Sequence, residues 1–156
     1  MYATALAVAV VTLIAIPAIP LGANITHRPT RLNLPYATLA STLRTNGLNP
    51  KEIVADSRLT GGNLKLQFPN ATIVVPELPG KPLGGHDVLF IWDATKRPEA
   101  PAPLVEFAEK AGFSRMEFAN PRPIECPMQF APKERARWAY VVLRKSGSLP
   151  ARRFLE

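Results

Sequence analysis

Two aspartates stand where carboxylates could do chemistry. Asp56 closes the apolar run Ile53-Val54-Ala55, and Asp93 closes the longer run Val88-Leu89-Phe90-Ile91-Trp92. Open α/β sheets bind ligands beyond the carboxyl ends of their strands, so each aspartate sits where it could hold a hydroxyl group or a metal. Gly61-Gly62-Asn63 follows Asp56 at the expected start of a helix, where backbone N–H groups favour an anion. Asp56, Asn63 and Asp93 are therefore the candidate ligand-binding residues. The competing reading is structural: aspartate after a strand serves as a turn or cap residue, and a Gly-Gly pair reads as a loop. Thr60-Gly61-Gly62-Asn63 lacks both the G-x-G-x-x-G spacing and the Walker lysine, so it is no nucleotide fingerprint. The chain has no G-x-S-x-G elbow and no helical histidine pair for zinc. Cys126 is the only cysteine, which excludes an internal disulfide and a cysteine-based zinc site. A catalytic thiol there would need a base, and His27 and His86, the only histidines, both read as loop residues. No catalytic residue, metal ligand or cofactor is expected.

A second kind of chemistry lies in the charge. The formal net charge is +7, and it is concentrated at the end of the chain. From Lys133 onward there are seven basic residues against Glu134 and Glu156. Arg144, Lys145, Arg152 and Arg153 are the candidate lipid-surface residues, because a basic patch beside a membrane anchor attracts anionic head groups. The alternative is an ordinary solvated tail. Nucleic acid, the other partner of basic patches, is not expected, since no RNP-like, helix-turn-helix or zinc motif accompanies the charge.

Residues 1–26 carry no charged residue and no histidine. Within them, residues 1–23 form an apolar run that as a helix would span about 30 Å, the thickness of a bilayer core. Pro17 and Pro20 would end or kink such a helix near Ile16. A cleaved signal peptide competes with this reading but needs a basic n-region, and no Lys or Arg precedes the run. The expected organisation is a transmembrane helix over 1–23, a linker over 24–34, a soluble domain over 35–146 and a basic tail over 147–156. His27, Arg28 and Arg31 would favour a cytoplasmic domain, although the positive-inside rule is weak for long domains.

The soluble part must position the aspartates. Tyr36, Leu39, Ala40 and Leu43 mark the apolar face of a helix that Gly47 stops. Residues 53–55 and 72–75 read as short strands on either side of a helix from Leu59 to Phe68. Val88 to Trp92 is the strongest strand, and five consecutive apolar residues imply burial on both faces. After the Pro-rich connector 97–103, Leu104, Val105, Phe107, Ala108 and Ala111 form an amphipathic helix ended by Gly112. Arg115 to Phe118 alternates like a half-exposed strand, and Trp138 to Leu143 reads as the last strand. Pro123 to Pro127, around Cys126, reads as a buried or edge position. This alternation predicts an α/β fold: a small three-layer mixed-sheet domain preceded by one transmembrane helix, its later part an antiparallel edge.

A family resemblance comes from Pro35-Tyr36-Ala37-Thr38-Leu39-Ala40, Ile53-Val54-Ala55-Asp56, the stretch from Gly62 to Ala71 and Val88 to Ala94. Their order and spacing resemble the C-terminal part of bacterial glycosyltransferases of family 39, relatives of the aminoarabinose lipid A transferase and the protein O-mannosyltransferases. The resemblance covers roughly residues 30–112. It implies a parent that takes a sugar from a polyprenyl-phosphate carrier on the periplasmic side. The family's acidic catalytic residue lies in a periplasmic loop of the multi-span half, which has no match here, so neither Asp56 nor Asp93 takes a catalytic role from it. On this reading residues 1–23 are the last span of a longer protein, and the chain is an accessory domain without the catalytic loop. It would lie at the bacterial inner membrane with its soluble part periplasmic. Its partners would be membrane lipid and, through the parent enzyme, a polyprenyl-phosphate sugar or lipid acceptor. The alternative is a free-standing single-span binding module with no enzymatic activity.

Overall fold

The structure, a computed structural model, describes residues 34–78, 83–84, 87–95 and 97–144. Among them lie three α-helices and five strands, in the order α1 (Tyr36–Thr45), β1 (Glu52–Ala55), α2 (Arg58–Gln67), β2 (Thr72–Val74), β3 (Val88–Asp93), α3 (Ala102–Lys110), a 3-10 helix (Arg115–Phe118), β4 (Arg122–Met128) and β5 (Ala131–Leu143). The expected span 1–23, most of the linker and the basic tail lie outside the described residues. Among the described residues no helix is long and apolar enough to cross a membrane.

The strands form one mixed sheet in the order β2-β1-β3-β5-β4. β1 is parallel to β2 and to β3, whereas β5 runs antiparallel to β3. β3 holds the central position and is buried from Val88 through Trp92. Register lines Val54, Phe90 and Val141 across one face, on which Trp92 and Ala139 also pair. This face packs on Leu104, Val105 and Ala108 of α3 and on Phe113 and Phe118. The opposite face carries Ile53, Leu89, Ile91 and Tyr140 and is covered by α1 and α2. There the Tyr36 ring lies 5.7 Å from Trp138. On the same face Gly61 of α2 comes so close to β1 and β2 that a Cβ would lie 2.9 Å from Val75 and 3.1 Å from Ile73. Helices on both faces of a mixed sheet make the α/β layering expected from the sequence.

Local rules account for most element ends. α1 buries Tyr36, Leu39, Ala40 and Leu43, one stripe at helical spacing. It stops at Gly47, whose φ of 77° lets Leu48 N–H donate to Leu43 O and Gly47 N–H to Arg44 O. α3 ends the same way at Gly112 (φ 92°), with Phe113 N–H on Ala108 O and Gly112 N–H on Glu109 O. α2 starts from Ser57, whose side chain accepts from Thr60 N–H.

Two expectations are corrected, and the buried or edge position around Cys126 is borne out as a strand. Arg115–Phe118 is not a strand. Ser114 and Glu117 form a reciprocal capping box that opens a 3-10 turn, and Met116 points into solvent while Phe118 is buried. Residues 122–128 form a full strand, β4, at the sheet edge, where a proline loses no ladder bond. Its alternation buries Ile124 and Cys126 and leaves Pro123, Glu125 and Pro127 exposed. Finally, β5 starts at Ala131 rather than Trp138, and its Val142 is partly exposed. Residues 125–136, the distal part of the β4–β5 hairpin, belong to a compact unit distinct from the one formed by 36–124 and 137–144. The hairpin turns at Phe130, a non-glycine residue in the left-handed region (φ 62°).

Candidate functional site at the carboxyl edge of the sheet

β1 and β3 are parallel neighbours, so their carboxyl ends lie side by side. The chain leaves β1 for α2 on one face and leaves β3 for α3 on the other. That reversal is a topological switch point, the place where open α/β sheets hold ligands. Asp56 and Asp93 both sit there. Asp56 N–H donates to Ile91 O at 3.1 Å, extending the ladder by one residue. Asp93 N–H then donates to Asp56 Oδ2 at 2.9 Å. Asp56 Oδ1 is buried and has no hydrogen-bond partner. Asp93 Oδ1 accepts from Thr95 N–H at 2.8 Å, closing an Asx turn. Ala94 N–H and the Thr95 hydroxyl both reach Arg137, which ties this turn to β5.

The structure thus brings Asp56 and Asp93 together but not Asn63. α2 begins at Arg58, so Gly61, Gly62 and Asn63 lie inside the helix rather than at its start. The Asn63 amide donates to Leu59 O at 2.9 Å within its own helix. Ser57 holds the capping position instead, its Oγ 3.0 Å from Thr60 Oγ1. A serine directly before the first helical residue was the available signal.

The candidate lipid-surface residues divide. Arg144 is described, and its guanidinium pairs with Asp87 at 3.1 Å in a largely exposed contact. It follows Leu143, which pairs with Val88, so it sits at the amino end of β3, the edge opposite Asp93. Lys145, Arg152 and Arg153 lie outside the described residues. Among the described residues no group of three or more His, Cys, Asp or Glu could hold a metal ion.

The amino edge also carries features that sequence reasoning missed. Glu52 is only 8% exposed. Its Oε1 accepts from Gly84 N–H at 2.6 Å, and its Oε2 is buried without a partner. Below α1 and α2 a concavity of about 580 Å³ is walled by the loops 49–51 and 67–72, with Arg44 beside them. Arg44 donates to Gln67 O and lays its guanidinium over the Phe68 ring, 4.7 Å from the centroid. Paired loops of Pro, Asn and Lys were visible in the chain, but nothing in one sequence shows that they meet.

No family model and no solved structure matches the chain. Over 80 residues it is 30% identical to the lipopolysaccharide core galacturonosyltransferase RgtA of Rhizobium johnstonii. The match covers 48% of this chain and 16% of that protein, so the chain spans less than a fifth of its relative's length. This similarity fits a glycosyltransferase relationship.

Proposed function

We propose that the chain is a membrane-anchored, C-terminal accessory domain of a polyprenyl-phosphate-sugar-dependent glycosyltransferase of the family-39 kind, lacking that enzyme's catalytic loop. The observation that carries this reading is the 30% identity over 80 residues to a galacturonosyltransferase. It joins the resemblance in order and spacing between residues 30 and 112 to the tail of such enzymes. The domain lies on the periplasmic side of the bacterial inner membrane, tethered through residues 1–23.

The fold supports a supporting role near the acceptor. Tyr36, the first residue of α1, packs on Trp138, and Trp138 pairs with Asp93, so α1 begins at the edge bearing Asp56 and Asp93. A lipid-linked sugar or lipid acceptor offers hydroxyl groups there, and carboxylates accept hydrogen bonds from them. Asp93 is the exposed member of the pair, and Asp56 fixes the backbone beneath it.

Membrane fractionation and a transfer assay test the reading together. The full chain should remain with bacterial membranes through high-salt and carbonate washes and leave only with detergent. The purified chain should move no sugar from a polyprenyl-phosphate donor, whereas deleting residues 36–144 from the longer parent should lower its transfer rate. Release by carbonate would refute the anchor. Transfer by the 156 residues alone would refute the accessory role.

A further inference from the structure

The β4–β5 hairpin ends in an apolar tip. Gln129 and Phe130 make its turn, and Phe130 takes a φ of 62°, a region that bulky side chains avoid and that glycine enters without strain. No ring contact among the described residues offsets that strain, and Phe130 is 45% exposed. Pro127 before the turn and Pro132 after it are exposed as well, and Met128 is half-buried. A strained turn that holds an aromatic ring in solvent, among other apolar side chains, points to a partner outside the chain.

The charges behind the tip identify that partner. Lys133 and Arg135 are exposed on alternate residues of β5, on one side of the strand, whereas Glu134 between them is half-buried on the other. Neither cation makes a hydrogen bond or ion pair among the described residues. Glu125, the exposed carboxylate of the hairpin, is already engaged. At ~3.3 Å per residue, Lys133 and Arg135 lie about 10 and 17 Å behind Phe130 along the chain. Apolar groups of interfacial proteins sit about 5–10 Å deep, at the boundary between head groups and acyl chains. With Phe130 at that depth, Lys133 reaches the level of the lipid phosphates and Arg135 the water just above them. Strand addition by a protein partner fits less well. β4 is the sheet edge, and Pro123 and Pro127 deny an incoming strand two backbone N–H donors.

We propose that the tip of the β4–β5 hairpin docks on an anionic lipid surface, with Phe130 at the acyl boundary and Lys133 and Arg135 serving the head-group phosphates. Only the nearness of a bilayer is taken from the membrane-anchored reading, and carbonate release, which tests the anchor, does not report on the tip. The test uses the full chain carrying Phe130→Trp, with vesicles of phosphatidylcholine alone or mixed with phosphatidylglycerol, each with and without acyl-brominated lipid. Trp92 and Trp138 are buried, so the wild-type chain supplies the background. With phosphatidylglycerol the new indole should shift its emission to the blue and be quenched by bromolipid, and added salt should reverse both effects. Lys133→Gln and Arg135→Gln should each weaken docking about fivefold, the equivalent of ~1 kcal/mol per cation. Phe130→Gly should leave the thermal midpoint unchanged or raise it, because glycine takes this φ freely. Four results would overturn the proposal: a water-like, unquenched indole with anionic vesicles, equal quenching with both vesicle types, undiminished docking in a folded variant lacking both cations, or a lowered midpoint for Phe130→Gly, which would make Phe130 a structural residue.

Discussion

Replacing Phe90 by alanine tests the layer model at its centre. Phe90 is fully buried on the middle strand. Its ring meets Phe113 at 5.6 Å and 78°, and Phe118 at 5.4 Å and 82°, both edge-to-face. Phe-to-Ala changes in cores cost roughly 3–5 kcal/mol, with the larger values where the site cannot collapse. Here the cavity would be walled by β1, β5, α3 and the 3-10 turn, so collapse is restricted. The two ring pairs add roughly 0.5–1.5 kcal/mol each beyond the buried area, which points to the upper half of that range. Domains of this size are stable by about 5–15 kcal/mol in total, so a loss of ~4 kcal/mol removes a large share and lowers the melting midpoint by ~15 °C. The assay is urea unfolding of the domain from Thr26 onward, followed by the fluorescence of Trp92 and Trp138. Phe90→Leu keeps most of the volume and should cost under about 2 kcal/mol. A Phe90→Ala loss below about 1 kcal/mol would refute the three-layer packing.

Further outcomes follow from single contacts. Gly62→Ala should stabilise α2 by about 0.5–1 kcal/mol, because a Cβ there meets nothing. Gly61→Ala, one residue earlier, should give no such gain, because its Cβ would press on Val75; equal gains in urea midpoints would contradict the packing of α2 on β2. Asp56→Ala should cost about 1–3 kcal/mol through loss of the bond from Asp93 N–H, and Asp56→Asn should cost less, since an amide oxygen can still accept that bond and no charge stays beside the partnerless position. Arg144→Gln should change stability by less than about 1 kcal/mol, because its pairing with Asp87 is solvent-exposed. The domain from Thr26 onward should sediment with anionic vesicles in preference to neutral ones, and replacing Arg144, Lys145, Arg152 and Arg153 by Gln should remove the preference. Equal sedimentation with both vesicle types before mutation would leave the basic end as ordinary surface.

Much of this fold was legible because its signals are local. Gly47 and Gly112 stop their helices through left-handed caps that only nearby residues define. The doubly buried run of β3 announced a sheet covered on both sides. The failures share one cause: competing local patterns whose winner depends on tertiary context. Arg115-Met116-Glu117-Phe118 alternates like a strand, yet Ser114 and Glu117 already spelled a capping box. The reading of Pro123 to Pro127 as a buried or edge position is borne out, because an edge strand tolerates prolines while Cys126 faces inward. The adjacency of Asp56 and Asp93 was readable because parallel neighbours end together. Asn63 reads as lying at the helix entry, whereas α2 begins at Arg58 and carries it inside the helix. The amino-edge pocket was not readable at all, since loops some twenty residues apart build it.

The topology sets the two electrostatic features of the chain against each other. The carboxyl edge of the sheet holds Asp56, Asp93 and the Tyr36–Trp138 contact. The opposite edge holds Arg144 with Asp87, together with Arg44 and Lys51. β3 separates these edges by its length from Val88 to Asp93, about 17 Å at ~3.3 Å per step. That exceeds the Debye length of ~8–10 Å at physiological ionic strength. A domain standing upright on its tether would hold Arg144 beyond useful reach of lipid charge, whereas a domain lying on its side would bring both edges to the surface. If residues 1–23 anchor the domain as proposed, Arg144 itself can act on that bilayer only where the domain tilts.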